Sequence, residues 1–316
     1  MMRATSGQGE VRRMQSYNKI GYWFVGLALL FLIFPDIDIW FTGLFYEKPE
    51  GFFWRDAALP MFSYNAIHTI TNYLSIWLVG SLAIQAVVHF QPRLEATKLR
   101  ERARAHAQRF NLWLNALWHS GSDFLRELAL TKAMVQMLAG MARHIREALH
   151  LGWQMVWAGL KTIAFRVPAP KLLYLLLALI LAPGFIVNSV FKDEWGRARP
   201  HQTNVFGGDK AFTPAWIRVQ QCQSNCSFVS GHAAMGFYVF AFGFLAQGAW
   251  RRRLFVLGCV TGGLVGLGRV IQGDHFLSDV IFSGFIVYFV CWLLYRGFVA
   301  MGWLGAETQG DASEPV

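Results

Sequence analysis

The sequence predicts an all-α fold, a polytopic membrane helix bundle of about six transmembrane helices. Three observations predict it. Hydrophobic residues make up 54% of the 316 positions and charged ones only 15%, which is more apolar surface than a soluble domain of this length can hide. The apolar positions gather into runs long enough to cross a bilayer as helices. The net charge of +10 collects beside and between those runs, where it suits cytoplasmic anchoring and anionic lipid headgroups. Nucleic acid is set aside as a partner on the same ground.

Taken in order, residues 1–19 form a basic cytoplasmic tail with Arg3, Arg12, Arg13 and Lys19. The apolar run 20–34 imitates a signal peptide. Bulky residues continue through Leu32, Ile33, Phe34, Ile37 and Trp40, however, and no small-x-small cleavage site follows, so an uncleaved first span is expected. Residues 35–72 mix Trp40, Phe45, Tyr46, Phe52, Phe53 and Trp54 with Asp36, Asp38, Glu47 and Glu50. That composition suits an outer interfacial segment. A second span follows at 73–90 and closes a region 20–91.

Residues 92–171 differ from their surroundings. Arg93, Lys98, Arg100, Arg102, Arg104 and Arg109 open the segment, and Phe110, Trp113, Leu114, Leu117 and Trp118 recur at helical spacing. A basic amphipathic insertion on the cytoplasmic membrane face is expected, with a solvated helical hairpin as the alternative. The apolar stretch 148–165 is read as interfacial, because a crossing there would strand Arg166 and Lys171 outside.

A core at 172–303 then holds a third span (172–190), a polar loop (192–228), a fourth span from Ser230 to the Arg251–Arg253 cluster, a fifth (254–271) and a sixth (279–298). A flexible acidic tail, 304–316, ends the chain. With the N-terminus inside, this count puts both 92–171 and Arg251–Arg253 in the cytoplasm and three motif segments on the outer face.

Cys259 and Cys291 lie in apolar runs and read as reduced packing residues. Cys222 and Cys226 share the polar loop. A zinc site would need more ligands than the nearby His201 and His232 provide. A disulfide staple in an oxidising compartment is the better reading.

The motif segments are Lys192–Pro200, Ser227–His232 and Arg269–Asp279. Each sets ionisable groups beside an apolar run, where they are expensive and mark function by default. Lys192, Arg199 and Arg269 supply cations matched to phosphate oxygens. Any one of them alone reads as ordinary snorkelling. Ser230 starts a helix, whose N–H groups meet an anion, and Gly231 allows close approach of the backbone. His275 and Asp279 are four apart, so the carboxylate can accept from one ring nitrogen and leave the other as a nucleophile. His232 is placed to protonate a departing oxygen. Alone, each histidine reads equally well as a capping or interfacial residue. Arg197 and His201 are secondary candidates for headgroup contact. Asp274 is expected to point away from His275, with a structural or gating part. No metal and no cofactor is called for.

These segments resemble the type 2 phosphatidic acid phosphatase superfamily, whose signature is Lys-x6-Arg-Pro, Pro-Ser-Gly-His and Ser-Arg-x5-His-x3-Asp. Lys192 to Pro200 matches the first segment completely. Ser230-Gly231-His232 matches the second, with Val229 for the usual proline. Arg269, His275 and Asp279 match the third, with Gly268 for the usual serine. The resemblance covers residues 171–300, plus the first two spans as general architecture. It implies a metal-independent lipid phosphatase in which His275 forms a phosphohistidine and Asp279 orients it. His232 protonates the leaving oxygen and later activates water. Lys192, Arg199, Ser230, Gly231 and Arg269 stabilise the phosphoryl oxygens. The departures at Val229 and Gly268 bear on substrate preference rather than on the chemical steps.

Pro35-Asp36-Ile37-Asp38-Ile39-Trp40, Phe45-Tyr46 and Asn225 to His232 resemble the bacterial lipid A phosphatase branch. That implies a bacterial inner-membrane protein whose site faces the periplasm, with a phosphorylated lipid as substrate and membrane lipids around it. Phosphatidylglycerophosphate, undecaprenyl pyrophosphate and phosphatidic acid are alternative substrates. A lipid phosphotransferase and a non-catalytic lipid-binding or transport protein are the alternative functions.

Overall fold

The computed structural model describes residues 5–95, 109, 161–162, 164 and 166–305, with side chains from residue 19 onward except at 59 and 91–95. The basic helices expected within 92–171 and the acidic tail fall almost wholly outside these residues. The chain divides into two compact units, Met1–Leu78 with Leu173–Val316, and Val79–Leu172. In the second, the buried Gln85 amide donates to the carbonyls of Ala164 (2.6 Å) and Val167 (2.8 Å), which satisfies a polar group on an apolar helix. The functional residues all lie in the first.

Helix α1 (Thr5–Ile33) ends at Phe34-Pro35, and the chain bends by 84° into α2 (Asp36–Gly43). Proline lacks the N–H that would continue α1, so the break falls there. A short antiparallel hairpin, β1 (Tyr46–Glu47) and β2 (Gly51–Phe52), pairs Tyr46 with Phe52. Its rings join Phe206 and Phe276 in an aromatic cluster.

Helix α3 (Ala58–Glu95) follows, and then α4 (Ala169–Leu179). The latter continues as a π-helix, Ile180–Phe191, and a last turn, Lys192–Glu194. Pro183 lies inside the widened stretch, where a missing N–H disturbs the α-helical ladder. Helices α5 (Gly231–Phe237) and α6 (Val239–Leu245) meet at Tyr238, before α7 (Gly248–Ile271) and α8 (Leu277–Ala300).

The chain is thus all-α and polytopic, as expected, but the spans need correcting. Among the described residues four helices are long and apolar enough to cross a membrane: Pro60–Phe90, Ala169–Glu194, Gly248–Ile271 and Leu277–Ala300. The bent pair Lys19–Ile33 and Asp36–Gly43 makes a fifth if taken as one span. The expected fourth span, Gly231–Leu245, is shorter than a crossing helix. Residues 58–72, expected at the interface, belong to α3. Their polar side chains do not break it, because Thr71 and Ser75 return their hydroxyls to the carbonyls of Ile67 and Thr71. Likewise Arg251, Arg252 and Arg253 sit in the first turns of α7 rather than before it.

Small residues let α5 and α7 touch. A Cβ at Gly236 would lie 2.7 Å from Gly262 Cα, and one at Gly262 would lie 2.3 Å from the Phe237 ring. Thr261 Oγ1 donates across this contact to the Gly236 carbonyl at 2.8 Å. Such packing brings the C-terminal ends of α4 and α7 together with the N-terminal ends of α3, α5 and α8. The predicted motif residues sit at that end.

Candidate active site

The loop between α4 and α5 is pinned by one guanidinium. Arg197 is fully buried. Its Nη2 donates to Asp38 Oδ2 (2.8 Å), its Nη1 to Asp279 Oδ1 and Ser278 Oγ, and its Nε to the Thr213 carbonyl. The Phe276 ring lies 4.2 Å beneath it. Burial alone would lower its pKa, but the charges of Asp279 and Asp38 more than offset this and raise it. The headgroup contact expected of Arg197 is therefore corrected. Its donors are spent on tying α2, the loop and the start of α8.

His275 is wholly buried in the turn between α7 and α8. Its Nδ1 lies 2.8 Å from the Ser227 carbonyl, whereas Asp279 Oδ2 is 3.6 Å away. A carbonyl has no proton to give, so Nδ1 carries the hydrogen and Nε2 presents a lone pair. Nε2 has no hydrogen-bond partner among the described residues. Burial pushes the imidazole pKa down to about 4, helped by the charges of Lys192 and Arg199 and opposed by Asp279. The neutral, nucleophilic form is thus present at any pH above that value. The expected pairing with Asp279 is present at 3.6 Å, and an indirect contact accompanies it. Asp279 Oδ2 accepts from Ser227 Oγ (2.5 Å) and from the Phe276 N–H (2.8 Å), so Ser227 bridges the two residues.

Lys192 and Arg199 lie close enough to act on this imidazole, and Arg269 joins them around His232. Lys192, nearly buried at the end of α4, donates to Asn225 Oδ1 at 2.6 Å. Arg199 donates to the Asn225 carbonyl through Nη2 (2.9 Å) and approaches Asp274 Oδ1 at 3.3 Å. Arg269 reaches Asp274 Oδ2 and Gln272 Oε1, while its Nε is buried without a partner among the described residues. Asp274 thus holds two of the predicted phosphate ligands, Arg199 and Arg269. Its burial favours the neutral carboxyl, yet His201, Arg269 and Arg199 prevail and keep its pKa well below the usual range. His201 is not free for a headgroup either, since its Nδ1 donates to the Gly273 carbonyl at 2.9 Å. A disulfide joins Cys222 to Cys226 and so flanks Asn225.

Ser230 caps α5: its hydroxyl accepts from the Ala233 N–H, and its own N–H donates to the Asp279 carbonyl. Val229 before it follows a cis peptide bond. A Cβ at Gly231 would lie 2.5 Å from Asn188 Oδ1 and 3.3 Å from Lys192 Cε, so no larger residue fits between them.

His232 has two partners that the motifs do not mention. Its Nε2 lies 3.0 Å from His68 Nε2, and its ring stacks on Tyr64 at 4.6 Å. Tyr64 in turn lies under the Arg269 guanidinium, 4.9 Å from ring to cation. The only signal for them in the sequence is a Tyr and a His four apart in an apolar stretch. Among the described residues, no group of three or more His, Cys, Asp or Glu side chains is arranged to hold a metal ion. What the arrangement offers is a buried imidazole lone pair, three cations, a helix N-terminus and a second imidazole.

Residues 171–303 match the PAP2 superfamily. That range contains every predicted site residue, and omits Asp38, Tyr64 and His68. The chain is 46% identical over 123 residues to a lipid A 4'-phosphatase of Francisella tularensis subsp. novicida (strain U112), covering 39% of this chain and 55% of that one. A lipid A 4'-phosphatase of Rhizobium leguminosarum is 38% identical over 113 residues, or 36% of this chain and 48% of the relative. One from Rhizobium etli is 39% identical over 103 residues, or 33% and 40%. The chain therefore spans about half the length of the curated relatives it matches. No solved structure matches it.

Proposed function

We propose that this PAP2 superfamily domain is the catalytic core of a membrane lipid phosphatase that removes a phosphate from lipid A through a phosphohistidine. The observation that carries the reading is the buried His275, whose Nδ1 proton is committed to the Ser227 carbonyl and whose Nε2 has no partner among the described residues. Nε2 attacks phosphorus. Lys192, Arg199, Arg269 and the N–H groups at the start of α5 take up the charge on the phosphoryl oxygens, usually the largest catalytic effect. His232 protonates the leaving oxygen and later takes a proton from the attacking water. Three fixed cations supply the charge stabilisation that a metal would otherwise provide, so the proposed mechanism is metal-independent.

The choice of lipid A draws on the names of the three relatives, each called a lipid A 4'-phosphatase. A periplasmic site in a bacterial inner membrane draws on charge. Arg251, at the other end of α7 from Arg269, lies about 27 Å away at the α-helical rise. The Arg251–Arg253 cluster belongs inside by the positive-inside rule, which leaves Arg269 and the site outside.

Phosphate release by the purified full chain from lipid A, phosphatidylglycerophosphate, undecaprenyl pyrophosphate and phosphatidic acid tests this. Lipid A is expected to be the fastest substrate, with EDTA without effect and vanadate inhibitory. Strong loss with EDTA would contradict the metal-free step. Transfer of the phosphate to a lipid acceptor would make the protein a phosphotransferase. Release from none of these lipids would leave a binding or transport protein.

A further inference from the structure

We infer that His68 of α3 is a positioning residue for the proposed acid: it holds His232 by Nε2 and exchanges the proton on that nitrogen. The inference rests on the phosphatase reading above.

Two imidazole nitrogens 3.0 Å apart share one hydrogen, so one ring donates and the other accepts. Held in this way, His232 has Nε2 occupied, and the nitrogen left for the substrate is Nδ1. Tyr64 stacks on the same ring and fixes its plane. Two cations face His232, Arg269 from α7 and Lys192 from the end of α4, with the imidazoles of His275 and His68 beside it. A positive His232 would add charge where charge is already crowded. His68 is the more exposed of the two rings.

The step balances as a relay. As the Nε2 lone pair of His275 forms its bond to phosphorus and the P–O bond breaks, His232 passes its Nδ1 proton to the leaving alkoxide. Its Nε2 simultaneously takes the proton that it shares with His68 Nε2. His232 stays neutral throughout and only exchanges tautomers, and His68 holds one proton fewer until hydrolysis returns it. Hydrolysis runs the relay backwards. Water loses a proton to His232 Nδ1, the Nε2 proton returns to His68, and the hydroxide displaces His275 from phosphorus. A histidine on the exposed face of an apolar helix is costly, and this gives it an occupation.

The test compares leaving groups. An alkyl phosphate such as lipid A needs its leaving oxygen protonated, whereas the phenolate of p-nitrophenyl phosphate departs unaided. For His68→Gln, the first-turnover release of the leaving group from lipid A is expected to slow about 10²-fold, the lower end for a positioned acid, with first-turnover release of p-nitrophenolate unchanged. His232→Ala should slow the first turnover of lipid A at least as much, and adding His68→Gln to it should bring no further loss on lipid A. The thermal unfolding midpoint should stay that of wild type. Equal slowing of both first-turnover releases in His68→Gln would mean a structural part for His68, and no slowing of either would mean none; both outcomes overturn the relay. A wild type inactive on both substrates would instead overturn the phosphatase reading, and the relay with it.

Discussion

His275→Ala is expected to give a folded protein whose kcat on lipid A falls about 10⁴-fold or more, the scale seen when a catalytic nucleophile is removed. The imidazole is the attacking group in the proposed mechanism, and no neighbouring side chain can replace it. Lys192, Arg199 and Arg269 are cations, and His232 is engaged by His68. The fold should survive because the groups around His275 hold one another. Asp279 keeps its contacts with Arg197, Ser227 and the Phe276 N–H, and only the Ser227 carbonyl loses a donor. Turnover and the thermal midpoint, measured on the same preparation, separate lost chemistry from lost structure. A His275→Ala protein retaining a tenth of wild-type turnover would remove it as the nucleophile.

Arg197→Met is expected to be the most destabilising single change, by about 3–5 kcal/mol, the usual result of removing one partner from a buried ion pair. Two carboxylates depend on this guanidinium, Asp38 and Asp279, and both are buried with it. Methionine fills much of the volume, so the loss measures the stranded charge rather than a cavity. Adding Asp38→Asn removes one of the two stranded charges and should recover part of the stability. Thermal unfolding in detergent reads both variants. An Arg197→Met midpoint matching wild type would show that the network holds nothing together. The Arg197→Met prediction does not need the substrate to be known, which separates it from the choice of lipid.

The site was legible in the sequence where charge sits beside apolar runs. Lys192, Arg199, Ser230, Gly231, His232, Arg269, His275 and Asp279 stand out because a bilayer makes their types expensive, and the structure gathers them at one end of the helices. Their second partners were not legible. The acceptor for His275 Nδ1 is the backbone of Ser227, and every residue has a carbonyl, so no side-chain pattern marks it. Asp38 pairs with Arg197 across 159 residues, a distance over which periodicity says nothing. Tyr64 and His68 lay in a stretch read as interfacial, so their arrival beside His232 depended on a helix start that composition misplaced. Span boundaries failed for a related reason. Hydropathy counts Thr71 and Ser75 as polar, but their hydroxyls are satisfied inside the helix.

The central claim, a phosphoryl group carried on His275, is tested most directly by trapping it. Wild type mixed with lipid A labelled in its phosphate and quenched within one turnover in alkaline detergent should carry label on the protein. That label should resist alkali, be lost in acid and map to His275, with none on His275→Ala. Phosphate released at full rate with no protein-bound label at any time, or label persisting in His275→Ala, would contradict it.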